Sequence, residues 1–179
     1  MLKKEQDTAP DEEIVPLKRE ELYRMVWSTP VTQLARKFGI SDVGRNMTDF
    51  STKNLPAKRD AVGPDGSDVR ILLGLKGGSM AHFELQAGKT SVAVTHKTVE
   101  EIWFFLRGQG EMWRKQGERE EVVEVGPGVC ITIPVETRFQ FRSLGYEPLA
   151  ALGVTIPPWP GADEAIPVQG RWKPSVSSL

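Results

Sequence analysis

The sequence predicts a mainly β protein, a sandwich or barrel of short strands, and three observations predict it. Between about Asp65 and Pro157 the chain divides into short apolar runs rich in Val, Ile, Phe and Trp. Glycine and proline, 17 and 13 in all, punctuate those runs at regular intervals. The run Ser91–His96 alternates, with Val92, Val94 and His96 on one side and Ser91, Ala93 and Thr95 on the other, which is the period of a strand.

Composition narrows the function classes. The chain has 179 residues, enough for one domain with an appendage. Lys+Arg is 23 and Asp+Glu is 24, a net charge of −1, which excludes a generic nucleic-acid coat or a polybasic membrane binder. Hydrophobic residues at 39% and charged residues at 26% suit a globule that buries a core. One Cys excludes an intramolecular disulfide framework and a multi-Cys metal site. No apolar run approaches the roughly 18–20 residues of a membrane span. The opening MLKKEQDTAPDEEIVP has no apolar signal core, so a cytoplasmic protein with no membrane partner is expected.

Taken in order, residues 1–16 are charged and aperiodic, and a disordered lead-in is expected. Leu22, Met25 and Val26 then recur at helical spacing. Thr29-Pro30 supplies an N-cap and a first-turn proline for a second helix with the stripe Val31, Leu34, Ala35 and Phe38. Gly39 suits its C′ position, and Ser41-Asp42 could cap a third helix. Lys18–Val43 resembles the opening of a bacterial helix-turn-helix module. After it comes Gly44-Arg-Asn-Met-Thr-Asp-Phe50, with a helix-weakening Gly and an acidic Asp49 where a recognition helix presents Arg, Asn or Gln to base edges. Residues 1–46 are therefore read as a short helical appendage, a truncated hairpin, and nucleic acid is not an expected partner.

Residues 51–67 read as a loop. Strands are predicted at Val69–Leu75, Met80–Gln86, Ser91–His96, Glu101–Arg107, Glu111–Lys115, Glu121–Val125, Gly128–Ile133, Arg138–Arg142 and Pro148–Thr155. Together they make a barrel over residues 60–157. Residues 158–179 form a Pro-rich extended tail whose Trp159 and Trp172 are expected to dock on it.

The stretch Gly88-Lys-Thr-Ser-Val-Ala-Val-Thr-His96-Lys-Thr98-Val-Glu100-Glu101-Ile-Trp-Phe-Phe-Leu-Arg-Gly108 resembles the first motif of the cupin superfamily. Gly126-Pro-Gly-Val-Cys-Ile-Thr-Ile-Pro134-Val-Glu136-Thr-Arg-Phe139 resembles the second. The resemblance covers most of residues 68–155. It implies a double-stranded β-helix, a jelly-roll barrel of two facing sheets, and a homodimer. In that family the first motif carries His-x-His, which places two imidazoles on one strand face, and with a Glu and a further His they hold a divalent transition metal. Here His96 stands at the first His and Glu101 (or Glu100, with a shorter gap) at the Glu. Thr98 replaces the second His, Phe139 the last, and Glu136 the usual Gly of the second motif. The other histidine, His82, lies on a strand opposite in parity to Phe83 and Leu85.

No cofactor is therefore predicted, and a metal, if present, would rest on His96 and Glu101 alone. The candidate ligand-binding set is His96, Thr98, Glu101, Trp103, Trp113 and Phe139, around a small-molecule ligand of unnamed identity. His96 and Glu101 are also the candidates for proton transfer, since a carboxyl in an apolar barrel is hard to ionise. The bland reading of that pair is two buried polar groups satisfying each other. Cys130 reads as a small core hydrophobe or a quiet strand residue, and Glu118–Glu124 as a strand with a charged outer face. Three functions remain: a small-molecule-binding cupin without a strong metal site, a metal-dependent enzyme of the sugar isomerase, epimerase or dioxygenase kind, and a ligand-responsive DNA-binding regulator.

Overall fold

The computed structural model describes Met25 and residues 50–176. Its strands, in chain order, are β1 (Ala61–Val62), β2 (Asp68–Leu75), β3 (Gly78–Leu85), β4 (Val94–His96), β5 (Glu100–Arg107), β6 (Gly110–Gln116), β7 (Arg119–Val125), β8 (Cys130–Ile133), β9 (Arg138–Ser143), β10 (Leu149–Ile156) and β11 (Ala165–Pro167). One sheet runs β1-β2-β3-β10-β5-β8 and the other β11-β4-β9-β6-β7. Every pairing is antiparallel. This is a jelly-roll barrel, and the mainly β class read from the sequence is the one observed.

Strand parity sorts the side chains. On β5, Glu101, Trp103 and Phe105 are buried while Glu100, Ile102, Phe104 and Leu106 are exposed. On β9 the inward residues are Phe139 and Phe141, on β8 Ile131 and Ile133, and on β10 Leu149 and Ala151. Trp103 lies at the centre of this core. Its ring stacks on Phe83 at 4.8 Å and 12°, and meets Phe141 edge-on at 5.2 Å. Gly153 of β10 makes the stack possible, because a Cβ there would stand 2.6 Å from the Phe83 ring and 3.1 Å from Trp103 Nε1.

Several boundaries differ from the sequence reading. The stretch expected as a loop before residue 67 contains β1 and a buried Asp65 whose Oδ1 accepts from Ser67 N and Oγ at 2.8 and 2.6 Å. Only Val94–His96 of the alternating run pairs as a strand. Ser91 instead exchanges bonds with Phe141, and Val92 N donates to Asp65 O, so the first half of the run is tied to a loop and to β9. Cys130 is exposed on β8, so it is not a core residue. On β7, Glu121 and Arg119 share the face of the core residue Val125, so the charge there is not confined to an outer face. The predicted helical hairpin of residues 1–46, Met25 apart, lies outside the described residues. Among those described, no helix is long and apolar enough to cross a membrane.

The tail is held by specific bonds. β11 pairs with β4 and brings Ala165 into the core. The buried Gln140 amide donates to Ser91 O and Trp172 O and accepts from Trp172 N, each at 2.8 Å. Arg142 lies 4.5 Å over the Trp172 ring. Residues 165–167 thus extend the edge of the second sheet, Trp172 packs against β9, and Trp159, Ala165 and Val176 pack against the core.

Gly153→Ala is expected to lower stability by about 1–3 kcal/mol, because the added methyl must displace an aromatic stack already at interior density. Urea unfolding with an unchanged slope and a lower midpoint would show it, and an unshifted midpoint would refute the packing argument.

Candidate functional site

Two strand ends meet inside the barrel. His96 is the last residue of β4, with its carbonyl accepting from Glu136 N at 3.2 Å. Glu101 is the second residue of β5 and faces the same interior. Glu100 is exposed, which settles which of the two carboxylates faces inward. Glu101 Oε2 accepts a 2.9 Å hydrogen bond from Trp103 Nε1, two residues along the same strand face. It also stands 3.9 Å from His96 Nδ1, too far for a hydrogen bond, and that nitrogen has no partner. The imidazole packs edge-on to Phe139 at 5.2 Å and to Trp159 at 5.3 Å.

Burial dominates the protonation of both groups. It pushes Glu101 from its ordinary 4.5 up to about 8, against the pull of the Trp103 bond and helped by the Asp65 and Glu164 charges. It holds His96 down from 6.5 to about 4, with Glu164 opposing. Near neutral pH the pair is therefore an un-ionised carboxyl beside an un-ionised imidazole. Their separation falls within ion-pair range, but neither group carries charge there. Burial also raises Asp65, against its Ser67 bonds.

The enclosed space is small. A cavity of about 20 Å³ lies among His96, Glu101, Trp103, Phe139, Phe83 and Trp159. That is room for about one water molecule. Its wall on the tail side is Trp159, whose backbone N donates to Ser79 Oγ at 3.0 Å. Beyond Trp159 and Phe83 lies an apolar cleft of about 140 Å³, lined also by Ile71, Met80, Ala81 and Thr155.

Four of the residues singled out from sequence, His96, Glu101, Trp103 and Phe139, thus share one chamber. Thr98 and Trp113 lie elsewhere. β4 ends at His96, the chain turns, and Thr98 is exposed; its N and Oγ1 donate to Glu164 at 2.6 and 2.9 Å. A same-face relation between 96 and 98 needs two more extended residues than the strand provides. Trp113 follows the inward Met112 and so faces outward, where its Nε1 donates to Glu120 at 2.9 Å beside Gly170 and Arg171 of the tail. His82 lies in register with Arg70 and Leu152, on the face opposite Phe83. Asp65, Glu164 and Trp159 join the chamber's surroundings without having been singled out as site residues. An Asp-Gly-Ser turn signal marks only the first of them.

These donors do not fit a transition metal. One imidazole nitrogen stands 3.9 Å from a carboxyl that is bonded to an indole, and a phenyl ring stands where a further ligand would be needed. Among the described residues no group of three or more His, Cys, Asp or Glu side chains could hold an ion.

Residues 81–155 match the cupin domain family. The chain belongs to the cupin superfamily. An uncharacterised protein of Methanocaldococcus jannaschii is 33% identical over 127 residues, which covers 65% of this chain and 98% of that relative. Among solved structures, the ectoine synthase from P. lautus superposes with a TM-score of 0.53 at 19% identity, over 72% of this chain and 96% of its own. KdgF from Halomonas sp. does so with a TM-score of 0.50 at 14% identity, over 60% and 94%. At those identities the two structures establish the shared cupin fold alone.

The opposed shifts predict a pH dependence. Between about 4.5 and 6.5 the folded carboxyl keeps a proton the unfolded chain has lost, while the folded imidazole refuses one the unfolded chain takes up, so the two slopes oppose each other. Between 6.5 and 8 only the Glu101 slope remains, and stability falls as pH rises. Glu101→Gln cannot release a proton. Wild type is expected to lose stability relative to it across pH 6.5–8, by at most about 1.4 kcal/mol per pH unit. Urea unfolding at a series of pH values would check this; parallel curves would show that Glu101 is ionised in the folded protein.

Proposed function

We propose that this protein is a small-molecule-binding cupin that holds its ligand without a metal. The observation that carries the reading is the buried Glu101–His96 pair, 3.9 Å apart inside an aromatic chamber. Held un-ionised by burial, such a pair offers hydrogen-bond donors and acceptors and no charge to trap a cation or an anion. The chamber and the apolar cleft share Phe83 and Trp159, so movement of the Trp159 ring would join them. A dry apolar cavity on the order of 150 Å³ takes a benzene-sized molecule. The ligand class that suits the joined space is a small ring or branched hydrocarbon with one hydroxyl or carbonyl, the polar group bonded by Glu101 or His96.

Phenol is a suitable probe. Calorimetric titration is expected to give a Kd on the order of 1 mM. Glu101→Leu should weaken it about fivefold, and Trp159→Ala should strengthen it by opening the partition. Chelator treatment should change nothing. The reading fails if neither wild type nor Trp159→Ala binds phenol. It fails equally if purified protein carries stoichiometric Fe, Mn, Ni or Zn that disappears in His96→Ala, which would support the metal-dependent enzyme instead.

We also propose that the partner on the outer face of the first sheet is a second copy of the chain. Ile102, Phe104 and Leu106 of β5 are 41–44% exposed there, and Leu152 and Val154 of β10 lie in register with Phe104 and Ile102. This apolar strip, bordered by Glu100 and by the Arg70–Glu84–Arg107 ion pairs, is complementary to itself, as a two-fold interface requires. Light scattering should give a dimer for wild type and a monomer for Phe104→Glu; a monomeric wild type at high micromolar concentration would dismiss the dimer.

A further inference from the structure

The barrel is not closed all the way round. β8 is the edge of one sheet and β7 the edge of the other. Where these edges face each other, a cleft of about 330 Å³ opens, lined by Arg114, Arg119, Glu121, Ile131, Pro134 and Thr137 among others. It shares no lining residue with the His96–Glu101 chamber. Parity explains its charge. Arg114 pairs with Glu121, two residues on from Met112 and two before Val123, so the strand face that is apolar in the core becomes charged at the open end. Sequence alone reads the same residues as a solvated strand.

The charges there are unevenly satisfied. Arg114 Nη1 donates to Thr132 O at 2.5 Å and Nη2 to Glu121 Oε1 at 2.6 Å, while its buried Nε has no partner. Thr137 is 3% exposed and its hydroxyl also has no partner. Arg119 reaches only to 3.6 Å from Glu121, with 80% of its side chain exposed. Lys115, also on the rim, is paired with Glu120 at 3.1 Å. Two guanidinium groups therefore share one carboxylate, next to two orphaned donors. A buried polar group without a partner is destabilising unless something supplies one.

We propose that this cleft is a second ligand site that takes a small organic oxyanion, a carboxylate or a phosphate ester. Arg119 swings onto the oxyanion as the mobile charge. Arg114, held by Thr132 and Glu121, supplies fixed positive charge at the floor, and Ile131 and Pro134 face the ligand's apolar body. At about 330 Å³ the space is at the lower end for small-molecule sites. The inner chamber, by contrast, suits an uncharged molecule, so the two sites select by charge.

Titration with benzoate, phenyl phosphate and neutral benzamide at fixed ionic strength tests this. One or both oxyanions should bind at least about tenfold more tightly than the amide. Arg119→Gln, at an exposed position where folding is not at stake, should remove about that factor. Arg119→Gln should leave phenol affinity as in wild type, so failure here is distinguishable from failure of the inner-chamber reading. Equal affinity for benzamide and benzoate, or oxyanion binding indifferent to Arg119→Gln, would overturn the proposal. So would the absence of oxyanion binding at about 10 mM, a level that detects interactions far weaker than a functional site.

Discussion

The hydrogen bond from Trp103 Nε1 to Glu101 Oε2 sets the terms for the whole interior. It joins two residues of one strand face, both almost wholly buried, and gives a polar group the partner that burial demands. The same indole is the ring on which Phe83 stacks and against which Phe139 and Phe141 pack. Core packing and site chemistry therefore cannot be varied separately. A charged Glu101 would sit against four aromatic neighbours with one hydrogen bond to compensate, so the carboxyl keeps its proton and the imidazole opposite has no charge to answer.

That constraint explains the contrast between the two ends of the barrel. The His96 end is filled by aromatic rings and sealed by Trp159 from the tail. Among the described residues, no strand or tail segment lines the β7–β8 opening, and its inward positions carry Arg, Glu and Thr in place of Phe and Trp. A jelly roll with an apolar, uncharged inner chamber and a charged open seam separates two kinds of ligand chemistry within one scaffold. Glu136 lies on the turn between these regions. It adopts φ 63°, a left-handed backbone that a glycine would take without strain. The side chain found there in place of the motif's usual glycine is thus held against its preference by the surrounding turn, including the Thr137 N to Pro134 O bond.

Much of the fold was legible because alternation and glycine placement are local signals. The run at residues 101–107 shows its inward and outward sets directly, and the motif glycines locate the turns. His96 and Glu101 were legible as neighbours because family spacing relates β4 to β5. Thr98 and Trp113 were not placed correctly by the same reasoning. A motif position assumes an extended strand, and β4 stops two residues too early for Thr98. An aromatic residue signals burial without saying by what, and Trp113 is buried by the tail, not by the barrel. The approach of Glu164 and Trp159 depends on where an irregular segment returns in space, which no period in the sequence encodes. The charged seam was hidden because Arg119 and Glu121 look like solvent-facing residues until the pairing of β6 with β7 fixes their side.

Trp159 and Ala165 complete the aromatic chamber from the carboxyl-terminal side of the chain, and Gln140 grips the segment still further along at Trp172. A nascent chain emerging from the ribosome exposes the Phe and Trp faces of β5 and β9 well before the residues that plug them. That order of exposure follows from topology alone. A fusion partner placed after the tail would delay the plug no further, whereas a break in translation before residue 159 would release a barrel with its hydrophobic interior open.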